Sequence, residues 1–328
     1  MIIVTGGAGF IGSAIVWGLN KKGINDILVV DHLGNSDKWK NLNNLQFKDY
    51  VEKDEFPDIL ISNKCAHIEA IFHMGACSST TEKDSTYLIH NNFEYTKLVA
   101  QYAIRKNIYF IYASSAATYG DGRLGFSDQM NIDNLFPLNP YGFSKQLFDI
   151  WAKRNRVDHH LMGFKFFNVY GPNEYHKGEM KSVVCKAYYQ IKETGQMKLF
   201  KSYKDGFAHG EQKRDFIYIK DVVDAVLYAF DNRLKGLYNL GTGKARTFLD
   251  LVKSVFRALN LPEKIEFIEM PESIRNQYQY FTEADMKKFK ETGYNRSFYS
   301  LEDGIFDYIN NYLESYNKYL GNKKDEKV

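Results

Sequence analysis

A glycine-rich turn at the start of the chain constrains the fold more than any other feature. The first twelve residues read MIIVTGGAGFIG, so a β-branched run leads into a cluster of glycines and then into an amphipathic helix. Gly6, Gly9 and Gly12 have the spacing that permits a tight turn, backbone contact with a pyrophosphate, and close packing of helix on strand. The N-terminus of the helix would face the phosphates with its free N–H groups. Glycines alone are equally typical of an ordinary strand-to-helix turn.

The next strand-like run supports dinucleotide binding. Residues 27–31, ILVVD, end in an acid nineteen residues after Gly12, where a carboxylate binds the adenosine ribose. Asp31 alone would favour NAD because it repels a 2′-phosphate, whereas Lys38 offers a charge that could hold the phosphate of NADP. The residues by themselves leave the choice of cofactor open.

Alternation of strand-like and helix-like segments predicts an α/β fold with a doubly wound, Rossmann-like parallel sheet. Buried strands are predicted at 70–73 and 109–113 with a helix over 84–106 between them, and a return to the main sheet is predicted at 214–219. Residues 173–213 are predicted to be irregular, and residues 246–328 are predicted to be mostly helical. We assign a dinucleotide-binding domain to 1–170 and 214–245, and a smaller, largely C-terminal substrate-binding domain to 171–213 and 246–328.

Composition narrows the class of protein. The 328 residues are 44% hydrophobic, enough for a large core, yet no window approaches the roughly 18 apolar residues of a membrane span. A strand beginning at residue 2 leaves no room for a signal peptide, so a cytoplasmic enzyme without a membrane partner is expected. Three cysteines without paired spacing argue against disulfides and a metal site.

Charge is weak overall but locally concentrated. The net charge of +3 gives no support for a nucleic-acid partner. Residues 177–214 nevertheless hold nine Lys/Arg against four Asp/Glu. This concentration suits an anionic small substrate, although a solvated basic face is the alternative.

A serine, a tyrosine and a lysine have the spacing of an acid/base site. Ser115 ends a predicted strand, and Tyr141 and Lys145 lie four residues apart, on one face of the next helix. The ammonium of Lys145 and a positively charged nicotinamide could bring the tyrosine pKa from about 10 towards neutrality. Tyr-xxx-Lys pairs also occur by chance in many helices, so the pattern is informative only beside the glycine-rich turn.

Four longer strings carry a resemblance to a known family. They are FHMGACSSTTE at 72–82, YASSAATYG at 112–120, FFNVYGP at 166–172 followed by HKG at 176–178, and KRDF at 213–216. With them the chain resembles the extended short-chain dehydrogenases that modify nucleotide-activated sugars, and among these the ADP-heptose 6-epimerases. The similarity covers essentially the whole chain.

The resemblance implies a function. It implies interconversion of ADP-D-glycero- and ADP-L-glycero-D-manno-heptose by oxidation and non-stereospecific reduction at carbon 6, with tightly held NADP rather than NAD. It also implies a homo-oligomer, a pentamer in this family, and a place in making the lipopolysaccharide core of a Gram-negative bacterium.

The resemblance also assigns residues to roles. The catalytic positions are Ser115, Tyr141, Lys145 and Lys177, with Tyr141 and Lys177 as the two proton-transfer groups. The cofactor positions are Gly6, Gly9, Phe10, Ile11, Gly12, Asp31, His32, Lys38, Lys53, Met74, Gly75, Ala76, Cys77, Ser78, Asn91, Lys145, Val169 and Lys177. The substrate positions are Ser115, Asn168, Glu179, Lys186, Phe200, Lys201, Ser202, Tyr203, Arg214 and Tyr278.

Some residues depart from the family pattern. His32 replaces the usual Asn, Glu179 and Lys186 replace Ser and His, and the stretch 203–212 is longer than usual. These differences bear on substrate contacts more than on reaction type. Lys177 is alternatively a surface lysine that binds a diphosphate.

Two other functions remain open. A UDP-sugar 4-epimerase shares the Ser, Tyr and Lys, and a non-catalytic dinucleotide-sensing module shares the glycine-rich turn. A 4,6-dehydratase is disfavoured because Ala116 and Ala117 follow Ser115, where such an enzyme commonly carries an acidic pair.

Overall fold

Strands are spaced along most of the chain. The computed structural model describes residues 1–62, 65, 67–275 and 278–321. Its strands are β1 (Ile2–Thr5), β2 (Ile27–Asp31), β3 (Asp49–Glu52), β4 (Ala70–His73), β5 (Tyr109–Ser115), β6 (Leu161–Phe166), β7 (Asn168–Tyr170), β8 (Met197–Phe200), β9 (Lys213–Tyr218), β10 (Gly236–Leu240), β11 (Ala245–Thr247) and β12 (Ile265–Ile268).

Helices connect most of these strands. The α-helices are α1 (Phe10–Lys21), α2 (Phe56–Ile61), α3 (Ser85–Leu88), α4 (Tyr95–Arg105), α5 (Pro140–Arg154), α6 (Val183–Thr194), α7 (Ile219–Asp231), α8 (Phe248–Ala258), α9 (Glu272–Arg275), α10 (Lys287–Lys290) and α11 (Leu301–Asp307). Short 3₁₀ segments lie at Asp37–Leu42, Ala116–Tyr119, Ile132–Asn134, Asp158–His160 and Tyr175–Met180, and π-helical segments at Ile89–Glu94 and Tyr308–Leu313. In the described part of the chain, no helix combines the length and apolarity needed to cross a bilayer.

The large sheet confirms the doubly wound α/β prediction. Seven strands lie in the order β3-β2-β1-β4-β5-β6-β10, and each neighbouring pair is parallel. The chain runs from β1 to β2 on one side and later returns to β4 on the other. This reversal opens a crevice at the carboxyl ends of β1 and β4, the usual place for a ligand in such a sheet.

Both faces of the sheet are buried, as expected for parallel strands. Ile2 and Val4 of β1 belong to an apolar cluster with α1 and α7, whereas Ile3 belongs to a cluster with α4 and α5. Helices α1 and α7 pack closely at Gly18, where a Cβ atom would lie 2.3 Å from Val223 Cγ1. Helices packed on both faces of the sheet therefore hold the crevice that the functional residues line.

Three sequence predictions are wrong in this structure. Strand β9 does not return to the main sheet but pairs with β7 and β11 in a separate three-stranded sheet. The stretch 173–213 contains α6 and β8 and is therefore not irregular. The described residues from 246 onward are not mostly helical, because β12 and long irregular stretches separate short helices. Residues 322–328 of the predicted substrate-binding domain lie outside the described residues.

A buried histidine joins β1, β4 and α4 just below the crevice. His73 Nδ1 lies 2.7 Å from the hydroxyl of Thr5, and His73 Nε2 lies 2.9 Å from the hydroxyl of Thr96. Thr96 donates its own proton to the carbonyl of Asn92, so it accepts from Nε2. Burial lowers the pKa of His73 to about 3, and in the neutral ring Nδ1 then accepts from Thr5.

We expect His73 to make the protein less stable in mild acid. Its pKa falls from 6.5 in the unfolded chain to about 3 in the folded one, so its contribution is complete above pH 6.5 and is lost as pH falls towards 3. The lost stability approaches about 1.4 kcal/mol per pH unit. Denaturant unfolding between pH 6.5 and 4.5 should show a shallower pH dependence for His73→Gln than for the wild type. Equal slopes would contradict this assignment.

Candidate active site

A cavity of about 760 Å³ opens at the carboxyl ends of β1, β4 and β5. The glycine-rich turn and the first turn of α1 line it on one side. Tyr141 and Lys145 of α5 line it as well, together with Lys177 from the 3₁₀ segment Tyr175–Met180. The cavity therefore brings together residues as far apart in the chain as Gly6 and Thr282.

Steric contacts require glycine at two positions of the turn. Gly6 has a φ of +66°, and a Cβ atom there would lie 2.5 Å from the backbone nitrogen of Gly75. A Cβ atom on Gly12 would lie 2.0 Å from the carbonyl oxygen of Gly6. The third glycine, Gly9, precedes α1 without a side-chain cap, and the first turn of α1 contains no acidic residue. The free N–H groups and positive end of α1 thus remain available to an anion.

The carboxylate of Asp31 has several partners within the protein. Its Oδ2 accepts the N–H of Ala8 at 2.8 Å, and its Oδ1 accepts the N–H of His32 at 2.7 Å. The ammonium of Lys38 lies 2.6 Å from the same Oδ1. Asp31 is only 7% exposed, and its negative charge is compensated where the cavity begins.

Ser115, Tyr141 and Lys145 meet at the end of β5. Ser115 Oγ accepts the N–H of Ala117 at 3.1 Å and donates its proton towards the phenol of Tyr141. Burial raises the pKa of Tyr141 above its ordinary value, and the hydrogen bond from Ser115 acts in the opposite direction. The ammonium of Lys145 donates to the carbonyl of Ala113 at 3.0 Å. Burial lowers the pKa of Lys145 to about 8, so most of this side chain is still charged at neutral pH.

A buried ion pair lies one helical turn from Lys145. Asp149, one helical turn after Lys145, lies 2.8 Å from the ammonium of Lys165 on β6. Tyr112 and Ser114 donate their hydroxyl protons to the same carboxylate at 3.0 and 2.7 Å. Asp149 also raises the pKa of Lys145, which partly offsets the effect of burial. Every side of the carboxylate therefore has a partner, as a buried charge requires.

Lys177 enters the cavity from a different element. Its ammonium lies 5.4 Å from the centre of the Phe10 ring, at the start of α1. Burial lowers its pKa, whereas the nearby carboxylate of Glu174 acts in the opposite direction. Glu174 is itself buried and accepts hydrogen bonds from Gly171 and Ser182, so the segment around Lys177 is held at both ends.

Most of the residues predicted for the site line this cavity. All four catalytic candidates do so, with Asn168 and Glu179 from the substrate positions. From the cofactor positions the cavity includes Gly6, Gly9, Phe10, Ile11, Gly12, Asp31, Lys38, Met74, Gly75, Ala76, Cys77, Ser78 and Val169. The roles assigned to these residues stay predictions.

Other predicted residues lie away from the cavity lining. His32 pairs with Glu52 near the surface, and Lys53 donates to Asn91 at 3.2 Å. Arg214 is buried, with its guanidinium 5.3 Å from the ring centre of Tyr278. The remaining substrate candidates outside the lining are Lys186, Phe200, Lys201, Ser202 and Tyr203.

The basic stretch is partly neutralised by surface glutamates. Lysines 186, 192, 198 and 201 each pair with a glutamate. Of the lysines and arginines in residues 177–214, only Lys177 and Lys181 line the cavity. The concentration of charge therefore overstates how many cations can meet a substrate.

Several lining residues were not singled out by the sequence patterns. They include His176, Met180, Phe216, Phe248, Leu251, Gln279 and Thr282. His176 lies within the HKG string and Phe216 ends the KRDF string, so these two strings were the available signals. Phe248, Leu251 and Gln279 come from distant elements with no chemical motif, so only the tertiary fold brings them here. Among the described residues, no group of three or more His, Cys, Asp and Glu is arranged to hold a metal ion.

The sequence matches a known protein family over most of its length. Residues 2–241 match the NAD dependent epimerase/dehydratase family. The chain is 52% identical to the ADP-L-glycero-D-manno-heptose-6-epimerase of Fusobacterium nucleatum, with 98% of this chain and 100% of that protein covered.

Two solved structures share the fold. The crystal structure of Helicobacter pylori ADP-L-glycero-D-manno-heptose-6-epimerase matches with a TM-score of 0.80 and 28% identity, over 94% of each chain. The UDP-glucose 4-epimerase of Thermotoga maritima, solved with UDP-glucose, matches with a TM-score of 0.77 and 25% identity, over 94% of this chain and 97% of that one.

Proposed function

Because the chain belongs to the NAD dependent epimerase/dehydratase family, we propose that it interconverts ADP-D-glycero- and ADP-L-glycero-D-manno-heptose by inverting carbon 6. In this proposal the reaction serves the synthesis of the heptose of the lipopolysaccharide core. A cytoplasmic location and a homo-oligomer, a pentamer as in the related family, belong to the same proposal.

One observation carries the proposal furthest. Two proton-transfer candidates, Tyr141 and Lys177, reach one cavity from separate elements of the chain. A simple dehydrogenase needs one such group, whereas an epimerase that returns hydride to the opposite face of a ketone benefits from two. The 52% identity over nearly the whole chain to a named heptose epimerase supports the choice of substrate.

The two parts of the chain take different roles in the proposal. Residues 1–170 and 214–245 bind the dinucleotide, and residues 171–213 and 246–328 bind the sugar nucleotide. Support comes from the cavity, which is lined by the glycine-rich turn from the first part and by Phe248 and Leu251 from the second.

A nicotinamide dinucleotide fits the residues present. The turn requires glycine at Gly6 and Gly12, and the uncapped start of α1 offers free N–H groups to a pyrophosphate. A nicotinamide held there would supply the reversible hydride transfer that inversion at carbon 6 needs.

We propose NADP rather than NAD as the cofactor. Asp31 already accepts hydrogen bonds from Ala8, His32 and Lys38, which leaves it little capacity for the two ribose hydroxyls of NAD. Lys38 also neutralises the charge that would repel a 2′-phosphate. Tight retention of the nucleotide is part of the proposal.

In one direction Tyr141, as the phenolate, takes the proton from the hydroxyl on carbon 6, and in the reverse direction the phenol gives it back. Burial raises the pKa of Tyr141 and so opposes formation of the phenolate. Ser115 donates a hydrogen bond that favours the phenolate. In the proposal the positive charge of Lys145 acts in the same direction. Ser115 also orients the substrate hydroxyl.

After the ketone has turned over, Lys177 in its protonated form gives a proton to the same oxygen, and in the reverse direction its neutral amine takes that proton. Burial lowers the pKa of Lys177, so the neutral amine becomes accessible closer to physiological pH. Asn168 and Glu179, which also line the cavity, are proposed to contact the sugar. Arg214 and Tyr278 are proposed to bind the ADP portion once the substrate is bound.

A UDP-sugar 4-epimerase remains the second candidate. The observation that favours it is the fold match to the Thermotoga maritima UDP-glucose 4-epimerase. A non-catalytic dinucleotide-sensing module is the third, but it has no need for the Ser115, Tyr141 and Lys145 group.

Proton NMR of ADP-D-glycero-D-manno-heptose with the purified protein tests the proposal directly. We expect inversion at carbon 6 without added cofactor, and no reaction with UDP-glucose. Inert ADP-heptose beside a reactive UDP-hexose would reverse the order of the first two candidates. No turnover of either, with bound dinucleotide, would favour the sensing module.

Tyr141→Phe should abolish inversion while the nucleotide stays bound, because only the acid/base oxygen is removed. The same NMR assay measures turnover, and chromatography of the acid-released nucleotide measures retention. Tyr316→Phe is the matched control, since Tyr316 is fully exposed. Wild-type rates in the Tyr141 variant would refute the assignment.

Lys38→Met should shift the nucleotide carried by the purified protein from NADP towards NAD. Loss of one charge-assisted contact should weaken NADP binding roughly 10- to 100-fold. Lys40→Met is the control, because Lys40 pairs instead with Asp37, a largely exposed acid on the same 3₁₀ segment. An unchanged ratio of the two nucleotides would argue against the proposed phosphate site.

A further inference from the structure

The residues just before Lys177 are joined to the glycine-rich turn through one buried side chain. Asn41 Nδ2 donates to the carbonyl of Ala8 at 2.9 Å and to the carbonyl of Asn173 at 3.0 Å. It also lies 3.3 Å from Nδ1 of His176, the neighbour of Lys177. Asn41 is 1% exposed, so water does not compete for these contacts.

The surroundings of Asn41 select an amide nitrogen. Three acceptors surround a group with two protons, whereas Asn41 Oδ1 is buried and has no hydrogen-bond partner among the described residues. Leaving a buried acceptor unpaired costs free energy. An apolar side chain would fill the same space without leaving an acceptor unpaired. We therefore infer that the hydrogen bonds donated by Asn41 are the reason for an amide at this position.

Asn173, whose carbonyl accepts from Asn41, is itself held by hydrogen bonds and burial. Asn173 is fully buried with a left-handed φ of +77°, a conformation that a non-glycine residue keeps only when its surroundings impose it. Its side chain donates to Ser13 of α1 at 2.9 Å and accepts the N–H of Leu320 at 3.0 Å. A displacement of the turn or of α1 would therefore reach the Lys177 segment directly.

The near end belongs to the proposed cofactor site. Ala8, whose carbonyl accepts from Asn41, donates its own N–H to Asp31 Oδ2 at 2.8 Å. Asp31 holds Lys38. One continuous set of hydrogen bonds thus runs from the ribose-binding acid through Ala8 and Asn41 to the residues that carry Lys177.

We propose that Asn41 is a positioning residue that holds Lys177 at the cavity by tying its segment to the glycine-rich turn. The proposal rests on the proposed role of Lys177 as the second proton-transfer group. Asn41 touches neither substrate nor cofactor in this scheme and acts through the backbone of residues 173–177. Its loss removes the tie between the Lys177 segment and the glycine-rich turn, while Tyr141, on α5, keeps its place.

Hydrogen–deuterium exchange tests the connection without reference to catalysis. Asn41→Ala should accelerate amide exchange in residues 174–180 at least about tenfold, since Lys177 N–H donates to the carbonyl of Glu174 within the held segment. Asn43→Ala is the matched control, because Asn43 is an exposed amide two residues away. Asn41→Asp is a second variant that keeps the size but removes both donors. Wild-type exchange in the folded variants would overturn the proposal.

Chemical labelling of Lys177 measures a property that a purely structural role of Asn41 would leave unchanged. The pH midpoint of its acylation, followed by mass spectrometry, should lie below the ordinary range for a lysine side chain in the wild-type holoprotein. In Asn41→Ala the midpoint should rise towards that range, because the ammonium gains contact with water. An unchanged midpoint would also overturn the proposal.

An activity assay distinguishes a failure of the positioning role from a failure of the proposed function. Inversion of ADP-heptose by Asn41→Ala should fall roughly 10- to 100-fold, with retained nucleotide, because a displaced acid/base group works poorly. Wild-type activity in this variant would count against the positioning role. A wild-type protein that does not invert ADP-heptose would refute the function, while exchange and labelling would still decide the role of Asn41.

Discussion

The contact between Gly12 and the carbonyl of Gly6 is the constraint on which the site depends. Any side chain at Gly12 would overlap that carbonyl, and any side chain at Gly6 would overlap the backbone of Gly75. The absence of these side chains lets α1 start immediately beyond β1 and brings the end of β4 against the same turn. The cavity exists because three backbone segments approach at this point more closely than ordinary residues permit.

Burial then determines how the ionisable groups around the cavity behave. It raises the pKa of Tyr141 and lowers those of Lys145 and Lys177. Each shift moves the group away from its charged form, so the proton affinities depend on how completely water is excluded. Asp149 and Glu174 moderate the two lysines, and both carboxylates are themselves held by hydrogen bonds. Position and proton affinity are therefore produced by the same packing.

Local patterns predicted the main sheet well and the second half of the chain poorly. The runs at Ile27–Asp31, Ala70–His73 and Tyr109–Ser115 are strands as expected, because continuous apolar stretches between turns are typical of parallel strands buried on both faces. Strand β9 has a similar pattern but joins a different sheet, since its pairing with β7 and β11 depends on residues far away in the chain. Short paired strands such as β8 and β12 carry too little periodic signal to be recognised.

The sequence by itself determined the glycine-rich turn, the acid at Asp31, the Tyr141 and Lys145 pair, and the likeness of its longer strings to sugar-nucleotide enzymes. These features are local, so their spacing expresses the chemistry directly. Only the tertiary structure decided that Lys38 pairs with Asp31, that Lys177 lies over Phe10, and that Asn41 links Ala8 to Asn173. Each of these contacts joins separate elements, and a contact of that kind exists only once the sheet and its helices have packed.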